Sequence, residues 1–195
     1  MMKTSITKTL ASIFKEHGQV AKRTFTQNEC RNLEKITREI VRAFQKNKKV
    51  LLCGNGGSAA DAQHIAAEFI VRFKRERRSL AAIALTTDTS ILTAIANDYD
   101  YESVFRRQVE GLGSRDDILI AISTSGNSPN VIAAVLAAKK IGMTTIAFTG
   151  ETGGKLTAHT DFSFCAKSRK TPHVQEMHIT ALHAISEAVE DKLFD

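Results

Sequence analysis

The sequence predicts an α/β fold, a parallel sheet of about five strands flanked by helices and preceded by a helical N-terminal segment. Three observations predict it. From Lys49 onward short apolar runs alternate with amphipathic stretches, the strand-then-helix repetition that a parallel sheet covered on both faces requires. The first apolar run ends in a glycine cluster, Gly54-Asn55-Gly56-Gly57, placed as a strand-to-helix turn. The two prolines, Pro129 and Pro172, fall at expected first turns of helices, where a missing N–H costs nothing.

The elements follow in order. Up to about Asn47 the chain reads as helical, with Leu33, Ile36, Ile40, Val41 and Phe44 recurring at helical spacing and Leu10, Ile13, Phe14 and Val20 doing so more weakly. Val50–Cys53 is the first strand, and a helix from about Ser58 to Phe73 follows, with Ser58 as its N-cap. Leu80–Leu85 is the second strand, followed by short helices at Thr89–Asn97 and Ser103–Gly111. Ile118–Ile122, Thr144–Phe148 and Asp161–Cys165 are further strands, Ser128–Ile141 a helix, and Thr171–Phe194 a long closing helix. Residues 1–195 are expected to form one domain, with 1–47 as the helical segment and 48–195 as the α/β core.

A chain of 195 residues with 43% hydrophobic and 25% charged residues buries a core without disulfide or metal staples. No apolar run is long enough to span a bilayer, and Met1–Lys15 lacks the apolar stretch and cleavage site of a signal peptide. A cytoplasmic protein without a membrane partner is therefore expected. Cys30, Cys53 and Cys165 show no CxxC or zinc-finger spacing and are expected to be reduced and mostly buried. The formal charge of +6 raises nucleic-acid binding. The basic residues are dispersed, however, and the densest run, Arg72–Arg78, sits where a helix should end, a place the helix dipole favours for cations. It is expected to be a solvated helix end, with no nucleic-acid partner, and the net charge serves to gather an anionic substrate.

Open α/β sheets bind ligands beyond the carboxyl ends of their strands, so the loops after Cys53, Leu85, Ile122 and Phe148 carry the interest. The glycine turn lacks the Walker lysine and the dinucleotide spacing, and reads equally as a chain reversal or as a close backbone approach to a ligand. The loop Ser123-Thr124-Ser125-Gly126-Asn127-Ser128 is more specific. Four hydroxyls crowd a loop that opens a helix, which makes an anion site from N–H groups and hydroxyl donors without any lysine.

His64 and Glu68 stand four apart on the first core helix and share a face. Glu68 lies among Ile65, Ala66, Ala67, Phe69 and Ile70, surroundings expected to raise a carboxyl pKa and suit a general base. The pair also suits a metal, or is simply an exposed helical pair. The closing helix carries Gln175, Glu176, His178 and His183 among inward-facing apolar residues, and His173 is expected at its start and exposed. Residue types and spacing alone stop at a phosphate-binding α/β protein, an isomerase or a transferase.

These stretches, together with Ala94–Asp98, Thr149-Gly150, Gly153-Gly154 and Val174–His183, resemble the sugar isomerase (SIS) family, and within it the isomerases of seven-carbon sugar phosphates. The resemblance covers nearly everything after about residue 30. It implies a single SIS-type domain that interconverts D-sedoheptulose 7-phosphate and D-glycero-D-manno-heptose 7-phosphate through an enediol, for heptose biosynthesis. It further implies Glu68 as catalytic base and His183 as catalytic acid. Asn55, Gly56, Gly57, Glu68, Asn97, Asp98, Ser123, Thr124, Ser125, Ser128 and Gln175 are implied as substrate contacts. His64, Glu68, Gln175 and His183 are implied as ligands of one zinc per subunit, and a homotetramer is implied with sites at subunit interfaces. The chain departs from the family at Pro172-His173, where Ala-Arg is frequent. A related non-enzymatic tetramer, the initiator-associating protein of bacterial replication, supplies the rival reading of a binding module. That relative has lost the last histidine and has an altered phosphate loop, whereas this chain retains Glu68, His183 and the whole Ser123–Ser128 loop.

Overall fold

The computed structural model describes residues 5–195, so the first four residues of the helical segment and of the leader region lie outside the described residues. The segment is two helices, α1 (Ile6–Thr24) and α2 (Gln27–Gln45). The break falls at Phe25-Thr26, because the Thr26 side chain accepts the N–H of Glu29 at 3.3 Å and starts α2 as a new helix. The core then runs β1 (Val50–Gly54), α3 (Gly57–Ile70), β2 (Ala82–Ala84), α4 (Thr89–Asp98), α5 (Ser103–Leu112), β3 (Ile118–Ser123), α6 (Pro129–Ile141), β4 (Thr144–Thr149), β5 (Phe162–Cys165) and α7 (Thr171–Phe194). A 3₁₀ turn at Leu156–His159 precedes β5.

All strand pairs are parallel and the order is β2-β1-β3-β4-β5. The strands read as continuous apolar runs because both faces are covered. Val50, Leu52, Ile118, Ile120 and Ile122 pack against Ile36 and Phe44 of α2, Ile65 and Phe69 of α3, and Met177, Leu182 and Ile185 of α7. The alternate residues Leu51, Cys53, Leu119 and Ala121 face Val104, Phe105 and Val109 of α5 and Val131, Ala134 and Val135 of α6. The chain leaves β1 for one edge and returns to β3 on its other side, so the direction of winding reverses between β1 and β3. In open sheets that is the place where ligands bind. No helix among the described residues is long and apolar enough to cross a membrane.

Three expectations are corrected here. The basic run Arg72–Arg78 follows the helix end, since α3 stops at Ile70, and Arg72, Lys74, Arg75 and Arg78 are solvated as expected. Arg77 is not, and the loop is tied down by a buried carboxylate. Glu190 accepts the backbone N–H groups of Phe73, Lys74 and Arg75, and pairs at 2.8 Å with Arg77, both side chains being 1% exposed. Ser58 is not the N-cap of α3, which begins one residue earlier, with Gly56 in the cap position at φ 56°. Cys30 is exposed; Cys53 is buried, and all three cysteines are free thiols.

Candidate functional site

Gly54 pairs with Ile122 in the β1–β3 register, so the glycine turn and the hydroxyl-rich loop emerge side by side at the switch point. A reciprocal amide pair joins them. Asn55 Nδ2 donates to Asn130 Oδ1, and Asn130 Nδ2 donates to Asn55 Oδ1, each at 2.9 Å. Tyr101 Oη also donates to Asn55 Oδ1 at 3.2 Å. Asn130 and Tyr101 hold the turn in place, and no local pattern around them announces this.

Gly57 has a specific reason to be glycine. A Cβ there would lie 2.2 Å from Nε2 of Gln175. The start of α7 therefore lays Gln175 directly on the start of α3.

In the second loop, Ser123 is buried at the end of β3, its Oγ 2.9 Å from Ser128 Oγ and 3.5 Å from Ser125 Oγ. Ser125 Oγ accepts the Asn127 N–H at 3.1 Å. Thr124 is half-buried and Ser125 exposed. A neighbouring turn braces the loop from below. Gly150 N donates to Thr124 O, and Leu156 N donates to Gly126 O. A Cβ at Gly126 would lie 2.1 Å from Gly153 O, so the glycines of the Thr149–Gly154 stretch serve loop-on-loop packing. Ser128 holds the N-cap position of α6 without a side-chain cap bond, and Pro129 opens the helix. Hydroxyls from one loop thus surround the N-terminal end of a helix whose first N–H groups are free of backbone partners, the arrangement that holds a phosphate.

The third group lies further along the α3–α7 contact. His64 Nε2 is 2.9 Å from Glu68 Oε1, and His183 Nε2 is 3.3 Å from His64 Nε2. The two imidazoles meet edge-on at 4.8 Å, with the Phe73 ring 5.5 Å from that of His183. One ligand atom from each of His64, Glu68 and His183 falls within a 4.8 Å group. Two imidazole nitrogens and a carboxylate oxygen directed at one point fit the donor set of zinc. The His183 pKa is lowered by burial first and by neighbouring His64 second, with Glu68 opposing, so its imidazole is disposed to be neutral.

Glu68 is not enclosed by apolar side chains as expected. Its side chain is 22% exposed, because Glu68 and His64 lie on the stripe of α3 between the buried Ile65, Ala66 and Phe69 and solvent. The α3 carboxyl that burial pushes up is Asp61, to about 6, with His64 pulling it down. One oxygen of Asp61 is buried without a partner. His173 is not exposed: it is 5% accessible, inside the first turn of α7, beside Glu176. His178 is a core histidine, its Nε2 donating to Thr149 O at 3.0 Å and its pKa pushed down by burial to about 4.

The chain therefore brings together Asn55, Gly56, Gly57 and Gln175, the loop Ser123–Ser128, and the His64–Glu68–His183 group. Asn97 and Asp98 stand apart, exposed on the last turn of α4 and hydrogen-bonded to each other at 2.8 Å. Their link to the rest runs through the following turn, where Tyr101 reaches Asn55.

Residues 14–150 match the sequence profile of the SIS domain. The phosphoheptose isomerase of Roseiflexus sp. (strain RS-1) is 56% identical over 174 residues, covering 89% of this chain and 88% of that one. A structure of the phosphoheptose isomerase from Neisseria gonorrhoeae superposes with a TM-score of 0.88 at 40% identity, over 96% of this chain and all of that one. One from Francisella tularensis does so with a TM-score of 0.93 at 32% identity and the same coverage. With a matching profile over most of its length and relatives of this similarity end to end, the chain belongs to the SIS domain family, in its phosphoheptose isomerase branch.

Proposed function

We propose that this chain is an aldose–ketose isomerase that converts D-sedoheptulose 7-phosphate to D-glycero-D-manno-heptose 7-phosphate. One observation carries the reading: Glu68 and His183, 115 positions apart in sequence, stand in one cluster with His64, on the same α3–α7 contact whose start meets the phosphate-type loops. Gly57 and His64 are seven residues apart on α3, about 10 Å along the helix axis, a separation that a long open-chain sugar phosphate can bridge.

In this reading the Ser123–Ser128 loop and the α6 N-terminus hold the phosphate, and Asn55, Gly56, Gly57 and Gln175 line the chain of hydroxyls. Asn97 and Asp98 contribute contacts to the substrate hydroxyls from the end of α4, beside the turn whose Tyr101 reaches Asn55. Glu68 takes the proton from C1 of the ketose, the C–H electrons form the C1=C2 bond of the enediol, and the carbonyl oxygen at C2 receives a proton from His183. Return of a proton to C2, with loss of the O1 proton, leaves the aldehyde at C1. The steps need an acid and a base near neutral pKa and neither nucleotide nor redox cofactor. The zinc implied by the family would be held by His64, Glu68, His183 and Gln175, and when bound it supplies polarisation of the substrate oxygens.

The same reading makes the protein a cytoplasmic homotetramer feeding lipopolysaccharide or capsule synthesis. Its assembly part is supported by the face of α1, where Ile6, Leu10, Ile13 and Phe14 are 46–79% exposed in the single chain, a stripe of a kind that marks an interaction site. The test is incubation of the purified, zinc-supplied protein with sedoheptulose 7-phosphate. Formation of the aldose heptose phosphate is expected, and no turnover would favour the non-enzymatic binding module.

A further inference from the structure

Among the described residues, two groups of histidine and glutamate bring three ligand atoms within 4.8 Å of one another. One is the His64–Glu68–His183 group. The other, His17, His173 and Glu176, has no part in the proposed reaction. We propose that His17, His173 and Glu176 form a second metal site, which takes a divalent transition ion such as zinc and clips α1 to the first turns of α7.

The donors come from two elements, α1 and α7, that are also tied at this point by the Glu16–Lys170 pair. Nδ1 of His17, on α1, is 2.6 Å from Oε2 of Glu176, and Nδ1 of His173 is 3.1 Å from the same oxygen. Two imidazole nitrogens thus meet at one carboxylate oxygen, and the three ligand atoms lie within 4.8 Å of one another. His173 and Glu176 are three apart on α7, a spacing that sets side chains together on a helix surface, and burial of His173 fixes its ring by packing. Its other nitrogen, Nε2, faces Glu16 Oε2 at 3.7 Å, and Glu16 is in turn anchored by Lys170 Nζ at 2.7 Å. A carboxylate behind the far ring nitrogen is what orients a metal-ligating histidine and fixes its tautomer. His17 and Glu176 are 42% and 45% exposed, so the fourth position of a tetrahedral ion opens to water. Zinc with three N/O ligands at about 2.0–2.2 Å sets those ligands about 3.3 Å apart; here Glu176 Oε2 is 2.6 and 3.1 Å from the two imidazole nitrogens, and all three atoms lie within 4.8 Å. The competing account is a carboxylate that accepts from two imidazole N–H groups and binds no ion.

The experiment separates the two sites by removing the first. His64→Ala/His183→Asn protein, stripped of metal and checked by circular dichroism, is titrated with Co²⁺ while the visible d–d absorption is read. One Co²⁺ per chain is expected to remain, together with a rise in Tm on its addition. Both should vanish when His17→Gln, a half-exposed position, is added. A folded double variant that binds no Co²⁺ overturns the site, as does binding that survives His17→Gln. Should the double variant not fold, zinc content decides: metal-loaded wild type must hold one more ion per chain than His17→Gln, and equal content overturns the proposal.

Discussion

His64 and His183, 119 residues apart in sequence, face each other through their Nε2 atoms at 3.3 Å. Both nitrogens cannot carry a proton in that geometry without repulsion, so the pair is built for one shared proton or one shared cation. Glu68, 2.9 Å from His64, supplies the negative charge. The contact exists because α3 and α7 lie side by side on one face of the sheet, with Gln175 against Gly57 at one end and His183 against His64 further on.

The first prediction concerns Gly57. Alanine there places a Cβ on the far end of the Gln175 side chain rather than on backbone, so Gln175 is displaced and the fold survives. Gly57→Ala should lower kcat/KM by about tenfold, the scale of lost ligand positioning, with stability within about 1 kcal/mol of wild type. Gln175→Ala should do similar damage, and the double variant should be no worse than either. Full activity in Gly57→Ala would separate Gln175 from the site.

The hydroxyl loop is tested through substrate binding. Replacing Ser123 and Ser125 by alanine removes two donors to a charged group, each worth about 1.5–3 kcal/mol. KM should rise by at least about tenfold, with an unchanged circular dichroism spectrum. An unchanged KM would take the loop out of the site.

Stability should fall on mild acidification because of His178. Its folded pKa is lowered from 6.5 to about 4 by burial, so the unfolded chain binds a proton below pH 6.5 that the folded chain refuses. The stabilisation is complete above pH 6.5 and is lost as pH falls toward 4. Between pH 7 and pH 5 this amounts to about 2 kcal/mol. His178→Gln, which keeps a donor for Thr149, should flatten Tm over that range; an unaltered slope would assign the acid lability elsewhere.

The strands and core helices were legible because both periodicities are strong: Val50–Cys53 and Ile118–Ile122 are unbroken apolar runs, and Thr171–Phe194 is one helix from its proline to its end. The two loops at the switch point were legible from their glycines and hydroxyls. What was not legible is tertiary. Arg77 looks like one more basic surface residue until Glu190, 113 positions away, is seen to bury it. His173 looks exposed beside Pro172, yet α1 and Glu176 cover it. Asn130 and Tyr101 orient Asn55 across 75 and 46 residues, which no local pattern encodes. The environment of Glu68 is not enclosed because Ile65, Ala66 and Phe69 turn to the core while Ala67 and Ile70 are exposed.

The most direct test of the central claim is solvent deuterium uptake at C1 of sedoheptulose 7-phosphate, followed by NMR at matched zinc occupancy. General acid–base groups contribute about 10²–10⁴-fold, so Glu68→Gln and His183→Asn should each lose aldose formation on that scale. Glu68→Gln should also stop exchange at C1, whereas His183→Asn should retain exchange while failing to make aldose. Wild-type exchange and turnover in both variants would contradict the account and leave His64, Glu68 and His183 as a structural contact between two helices.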